Sequence, residues 1–265
     1  MLHQPRTVAD DAPAARLAGA RIAGAQSSSA LASGTVTNCS KPFRPVTSKL
    51  HVPPHLEFGT LLAYPPRYLA QGWTARTLVF AIKRDGPSMT SPVSLIRLFV
   101  QWIPRAAPAI RANFLDGTWL AVPVPASRPT AMPNAAWASR SICQALLREG
   151  FVRDVAEIVH RTTALRIRAS HTKARRRPTT LDHYNTMAAT APVCHMPTKV
   201  LLVDDVVSSG GTAAGTAARV LEVLPRCEIG VFAIARTVEH YVRAIEPRTG
   251  YIDASSITAR RVDAS

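Results

Sequence analysis

Asp204 and Asp205 stand side by side at the end of the apolar run Val200-Leu201-Leu202-Val203 and ahead of Val206-Val207-Ser208-Ser209-Gly210-Gly211-Thr212. These types at this spacing suit a ligand that carries both hydroxyls and a phosphate. A carboxylate accepts hydrogen bonds from the hydroxyls of a vicinal diol. Gly210 and Gly211 are able to take positive φ and to let the backbone come close to a ligand. Ser208, Ser209 and Thr212 add hydroxyl donors. A helix that starts just after the loop offers free N–H groups and a positive dipole end to an anion. A phosphate site alone has no use for two acids beside it, whereas a divalent cation can bridge hydroxyls and phosphates. The ligand these residues describe is ribose with a 5-phosphate.

The elements that must hold this loop are legible on either side. Val200 to Val203 reads as a strand buried on both faces. Ala213 to Leu224 reads as a helix. Upstream, the spacing predicts a strand over Thr74 to Lys83, a helix over Pro92 to Ile103 and a short helix over Ala106 to Phe114. It then predicts a strand over Trp119 to Val124, a helix over Ala135 to Arg148 and a strand over Val155 to Val159. In the helix over Pro92 to Ile103, Val93, Ile96, Leu98, Phe99 and Trp102 are available to pack. Glu228 to Ala235 closes the series as a strand. Alternating strands and helices argue for an α/β fold with a doubly wound, mostly parallel sheet. Ligands of such sheets sit at the carboxyl ends of strands, where the two acids lie.

The segment Val200 to Thr212 resembles the phosphoribosyl-pyrophosphate (PRPP) signature of the type I phosphoribosyltransferases. The resemblance implies the fold of that family, with a small variable hood, here residues 49–75 or 236–254. It implies that Asp204 and Asp205 hold the ribose hydroxyls at the reaction centre and meet Mg²⁺ indirectly, through those hydroxyls or water. Ser208, Ser209, Gly210, Gly211 and Thr212 would hold the 5-phosphate. The implied reaction transfers ribose 5-phosphate to a small nitrogenous acceptor and releases pyrophosphate. Some purine-specific relatives carry an acid at the position of Ser208, so this chain moves away from purine salvage.

Leu120-Ala121-Val122-Pro123-Val124-Pro125-Ala126-Ser127-Arg128 is the second informative stretch. Two prolines at alternate positions suit a central strand poorly. The strand is therefore expected to end at a sheet margin, in a tight loop. This Val-Pro-Val-Pro strand is similar to that of the ComF-like branch of the family. By that resemblance Ala126, Ser127 and Arg128 would receive the pyrophosphate. The match is partial. An Arg-Gly-hydrophobic-Asn-Gln run is usual next, and of Ala131-Met132-Pro133-Asn134-Ala135 only Asn134 corresponds. The cysteine-rich zinc module of many ComF-like proteins is not found.

Arg161 to Arg177 holds seven cations (Arg161, Arg166, Arg168, Lys173, Arg175, Arg176, Arg177) and no acid. In family terms it would close over PRPP and keep water from the reacting carbon. It equally suits a nucleic-acid backbone or a solvated charged loop. The family's Arg-x-x-Asn-like region falls at Thr179-Thr180-Leu181-Asp182-His183-Tyr184-Asn185. His183 and Tyr184 are there available for proton transfer or base stacking, or are structural.

The chain has 265 residues, is 47% hydrophobic and carries a formal net charge of +15. That size and composition support a real core. The charge keeps open a second reading, a non-catalytic phosphoribosyltransferase-fold protein that binds nucleic acid as a regulator or a competence (DNA-uptake) factor. Cys39, Cys143, Cys194 and Cys227 have no C-x-x-C spacing, which argues against a zinc site or a disulfide framework and fits a reducing cytoplasm. No apolar run nears the ~18 residues of a membrane span. Residues 1–48, rich in Ala, Ser, Thr and Gly, are expected to be a disordered leader or a start codon assigned too far upstream. Residues 49–250 would form the phosphoribosyltransferase-like domain and 251–265 a flexible tail. A homodimer is the expected assembly.

Overall fold

A computed structural model describes residues 51–64, 73–84, 87–88, 91–127, 129, 137–165, 178–191, 196–238 and 245–253. The leader expected over 1–48, Arg128, Asn134 and six of the seven cations of the basic segment lie outside these residues. The described elements run β1 (His55–Tyr64), α1 (Trp73–Lys83), β2 (Pro87–Ser88), β3 (Ser91–Ser94), α2 (Leu95–Ala106), α3 (Pro108–Phe114), β4 (Leu120–Pro123) and α4 (Ala138–Arg148). They continue β5 (Asp154–Val155), β6 (Val159–Arg161), α5 (Thr180–Asn185), β7 (Met187–Ala189), β8 (Lys199–Val207), α6 (Gly211–Val223), β9 (Glu228–Thr237) and β10 (Ile245–Asp253).

Six strands form one sheet in the order β10-β1-β9-β8-β4-β5. All neighbouring pairs are parallel except β10, which runs antiparallel to β1. Alternate residues of β8 go to opposite faces, as the period of two requires. Leu201 and Val203 join a core with Val100 and Ile103 of α2 and Ile142 and Leu146 of α4. Val200 and Leu202 join another with Ala213, Ala217 and Val220 of α6. Both faces are thus covered, and the α/β character with a mostly parallel sheet holds.

Several boundaries differ from the sequence expectation. The expected strand over Thr74 to Lys83 is the helix α1. Its buried residues Val79 and Ile82 are three apart while Phe80 between them is 54% exposed, a helical pattern. A five-residue apolar run does not by itself distinguish the two. The sheet position is taken instead by β1, from the stretch 49–75 expected to form a hood. Leu56, Leu61, Leu62 and Ala63 of β1 are fully buried. The other hood stretch, 236–254, supplies the end of β9 and the edge strand β10. Tyr251, Ile252 and Asp253, placed at the head of a tail, belong to β10, and Ile252 is buried.

In the helix expected over Pro92 to Ile103, Ser91 to Ser94 is the strand β3. Helix α2 buries Ile96, Val100 and Ile103 rather than Leu98. The strand expected over Val155 to Val159 is split. β5 pairs with β4, whereas β6 pairs antiparallel with β7 in a separate ribbon.

The proline-broken strand β4 is internal, between β8 and β5, and not at the sheet margin. Val124 donates its N–H to the Val203 carbonyl of β8 at 2.9 Å. Alternate residues of a parallel strand face the same neighbour, so Pro123 and Pro125 turn their nitrogens to the opposite side. There β5 pairs only through Leu120 and Ala121. The missing N–H groups therefore cost the sheet no hydrogen bond.

Candidate functional site

Strand β8 is longer than its apolar run. Asp204 pairs with Ala233 of β9, and Val206 and Val207 follow in the ladder to Ala235 and Arg236. On the other side β4 has ended at the Pro123–Val203 pair. The two acids therefore belong to the strand, yet one flank lies open. A cleft of about 330 Å³ occupies that opening, lined by Asp204, Asp205, Thr212 and the Val124-to-Ser127 segment together with side chains from α1, α4 and α5.

The turn from β8 into α6 is built for close approach. Gly210 sits at φ 79° as the residue before the helix, and a Cβ there would lie 2.4 Å from Ile252 Cγ2. Positive φ is needed at Gly210 but not at Gly211. Helix α6 has no acid in its first turn, so its dipole end stays available to an anion. Thr212 faces the cleft; Ser208 and Ser209 are exposed and do not line it.

The acids are held from two other helices. Lys83 Nζ, at the end of α1, is 2.7 Å from Asp205 Oδ2. Asp204 Oδ1 accepts the Asp205 N–H at 2.8 Å and faces the Ser139 hydroxyl of α4 at 3.4 Å. Burial pushes the Asp204 carboxyl well above the ordinary carboxylate range, and the charge of Asp205 adds to this; Lys83 pulls the other way. A second negative charge beside Asp205 is therefore disfavoured, and Lys83, paired with Asp205, offsets this only in part.

The Ala126-Ser127 loop is fixed from outside. Arg161 donates from Nε to the Ala126 carbonyl and from Nη1 to Thr186 Oγ1. Leu165 N–H donates to the Ser127 carbonyl at 3.2 Å, and Trp137 Nε1 donates to the Val124 carbonyl at 2.8 Å. Arg161 is 2% exposed. The sequence groups it with the cations of a closing loop, a nucleic-acid patch or a solvated loop; it is instead an internal brace.

Helix α5 forms the remaining wall. A capping box starts it: Thr179 Oγ1 accepts from Asp182 N–H, and Asp182 accepts from Thr179 N–H. It packs on α6 at Gly215, where a Cβ would meet His183 Cβ at 3.0 Å and the backbone of Thr180 and Tyr184 at 3.1 Å. Tyr184 donates its hydroxyl to Glu222, and Arg219 lies 3.6 Å over the Tyr184 ring. These contacts make Tyr184 a clamp between helices. His183 faces the cleft, its Nε2 3.3 Å from Thr212 Oγ1. Desolvation, with the positive charge of Arg161, lowers the His183 pKa to about 4.

Of the residues predicted from sequence, Asp204, Asp205, Thr212, Ala126 and Ser127 line the one cleft, whereas Ser208, Ser209, Gly210 and Gly211 do not. Lys83 and Ser139 gave no sequence signal. They arrive by tertiary packing, and only an amphipathic reading of Thr74 to Lys83 would have placed a lysine at a helix end. Two larger concavities, of about 390 and 490 Å³, contain none of these residues. Convergence of acids, hydroxyls and a helix start selects the site, and size does not.

No protein-family model matches the chain, and no curated protein matches it. Among the described residues no helix is long and apolar enough to cross a membrane.

Proposed function

We propose that the chain binds PRPP with magnesium and transfers ribose 5-phosphate to a nitrogen acceptor, as the type I phosphoribosyltransferases do. The observation that carries this reading is the meeting of Asp204, Asp205, Thr212 and the Ala126-Ser127 backbone around one cleft. The mostly parallel sheet, with the acids at the carboxyl end of β8, agrees with it.

The described residues hold no group of three or more His, Cys, Asp or Glu placed to bind a metal alone. Mg²⁺ usually takes one or two carboxylates and completes its shell with water and substrate phosphates. Asp204 and Asp205 offer the one or two carboxylates that such an ion takes. Bound there, magnesium would offset the charge that develops on departing pyrophosphate.

In this mechanism Asp204 and Asp205 accept hydrogen bonds from the ribose 2- and 3-hydroxyls. The start of α6 and the Thr212 hydroxyl hold the 5-phosphate. The loop braced by Arg161 presents its backbone to the pyrophosphate. The C1–O bond breaks with its electron pair leaving on pyrophosphate. The acceptor nitrogen forms the new bond to C1 and gives up a proton. The chain supplies position and fixed charge rather than a covalent intermediate.

Calorimetry with PRPP and Mg²⁺ tests the reading. Binding by the wild type and its loss in Asp204→Asn/Asp205→Asn are expected. A wild type that does not bind, or a double variant that binds equally well, overturns it. A screen of nitrogenous bases for pyrophosphate release then identifies the acceptor.

A further inference from the structure

His183 reaches the cleft from α5, outside the loop whose residue types announce an anion site. One ring nitrogen, Nε2, lies 3.3 Å from Thr212 Oγ1. The other, Nδ1, is buried with no hydrogen-bond partner among the described residues. The ring is neutral near pH 7, since burial and Arg161 oppose its charging. A neutral imidazole has one N–H and one lone pair. Placing the hydrogen on Nδ1 would bury an unpaired donor, which native structures rarely tolerate. Placing it on Nε2 aims it at an acceptor, the Thr212 oxygen. Once Thr212 Oγ1 accepts, its own hydrogen is free to turn into the cleft.

We infer that His183 is a positioning residue: it donates from Nε2 to Thr212 and so sets the Thr212 hydroxyl as a donor to an anion seated at the start of α6. This deepens the PRPP reading, because it rests on the loop being a phosphate site. It needs neither the acid pair nor the sugar. The tight contact at Gly215 serves this arrangement, since a larger residue there would press on the His183 Cβ.

Inorganic phosphate is the probe, with affinity measured by calorimetry. His183→Leu should weaken phosphate binding roughly five- to tenfold, the scale of one ordinary net hydrogen bond. His183→Gln, whose amide nitrogen takes the place of Nε2, should restore most of it, and His183→Asn should not. In a Thr212→Val background, His183→Leu should have no further effect. Nitrogen NMR of the wild type should show the Nε2–H tautomer. The inference is overturned by a His183→Leu variant that binds phosphate as the wild type does, by a loss that persists without the Thr212 hydroxyl, or by the Nδ1–H tautomer. A wild type that binds phosphate but not PRPP leaves it standing and overturns the ribose reading. A wild type that binds neither overturns both.

Discussion

Lys83 Nζ lies 2.7 Å from Asp205 Oδ2, so the last residue of α1 already places one positive charge on the acid pair. Asp204 faces the Ser139 hydroxyl of α4 instead, at 3.4 Å. Under the proposed function, a cation and the ribose hydroxyls would complete the pair.

Removing the lysine should increase the demand for a metal. In Lys83→Met, added Mg²⁺ should raise the melting temperature by more than it does in the wild type, since an ion that binds only the folded state stabilises it by mass action. Calorimetric melting with and without magnesium measures this. Equal shifts in the two proteins count against the acids as a cation partner.

Gly210→Ala combines two faults. A left-handed backbone costs a side chain about 1–2 kcal/mol, and the new Cβ would lie 2.4 Å from Ile252 Cγ2. Urea unfolding should show a loss of about 2 kcal/mol or more. Adding Ile252→Ala should recover the steric part relative to Ile252→Ala alone, but not the backbone part. Complete recovery would mean that φ at this position carries no strain.

Arg161→Met should act at the cleft as well as on stability. It leaves the Ala126 carbonyl and Thr186 hydroxyl short of donors, at about 1–3 kcal/mol for a buried unsatisfied group. Because the Ala126-Ser127 loop loses its brace, PRPP affinity should fall further than phosphate affinity. Equal losses for the two ligands would place the loop away from the pyrophosphate.

The low pKa of His183, about 4, makes stability depend on pH. The unfolded chain takes up a proton near pH 6.5 that the folded ring refuses. Its contribution is thus present above that value and is lost as pH falls toward 4. Asp204, with its raised pKa, works in the opposite direction. The difference between wild type and His183→Gln isolates the histidine. Between about pH 7 and pH 5, the melting temperature of the wild type should fall relative to that of the variant. Parallel curves would sink the assignment.

The turn from β8 into α6 is legible because its signals are local. Gly210 is required by a φ within one turn, and Asp204 follows directly from the strand that carries it. The prolines of β4 do end a strand, but not, as the sequence suggests, at a sheet edge. Their tolerance depends on where β5 stops, a fact of the neighbouring strand. Thr74 to Lys83 was misread because Leu78 to Ile82 satisfies either period until burial decides which residues go inside. His55 to Tyr64 does not announce a sheet strand because His55, Glu57, Gly59 and Thr60 interrupt its apolar residues.

Sequence alone determined the chemistry on offer: two carboxylates, hydroxyls, a left-handed glycine and a helix start within one continuous segment. Tertiary structure decided what surrounds them. Lys83 on Asp205, Ser139 against Asp204, Arg161 under the Ala126 carbonyl and His183 beside Thr212 each join residues far apart in the chain. The physical reason is range. Backbone conformation and strand–helix alternation are fixed by neighbours along the chain, whereas charge compensation, desolvation and hydrogen-bond partnership are fixed by whatever packing brings within a few ångströms.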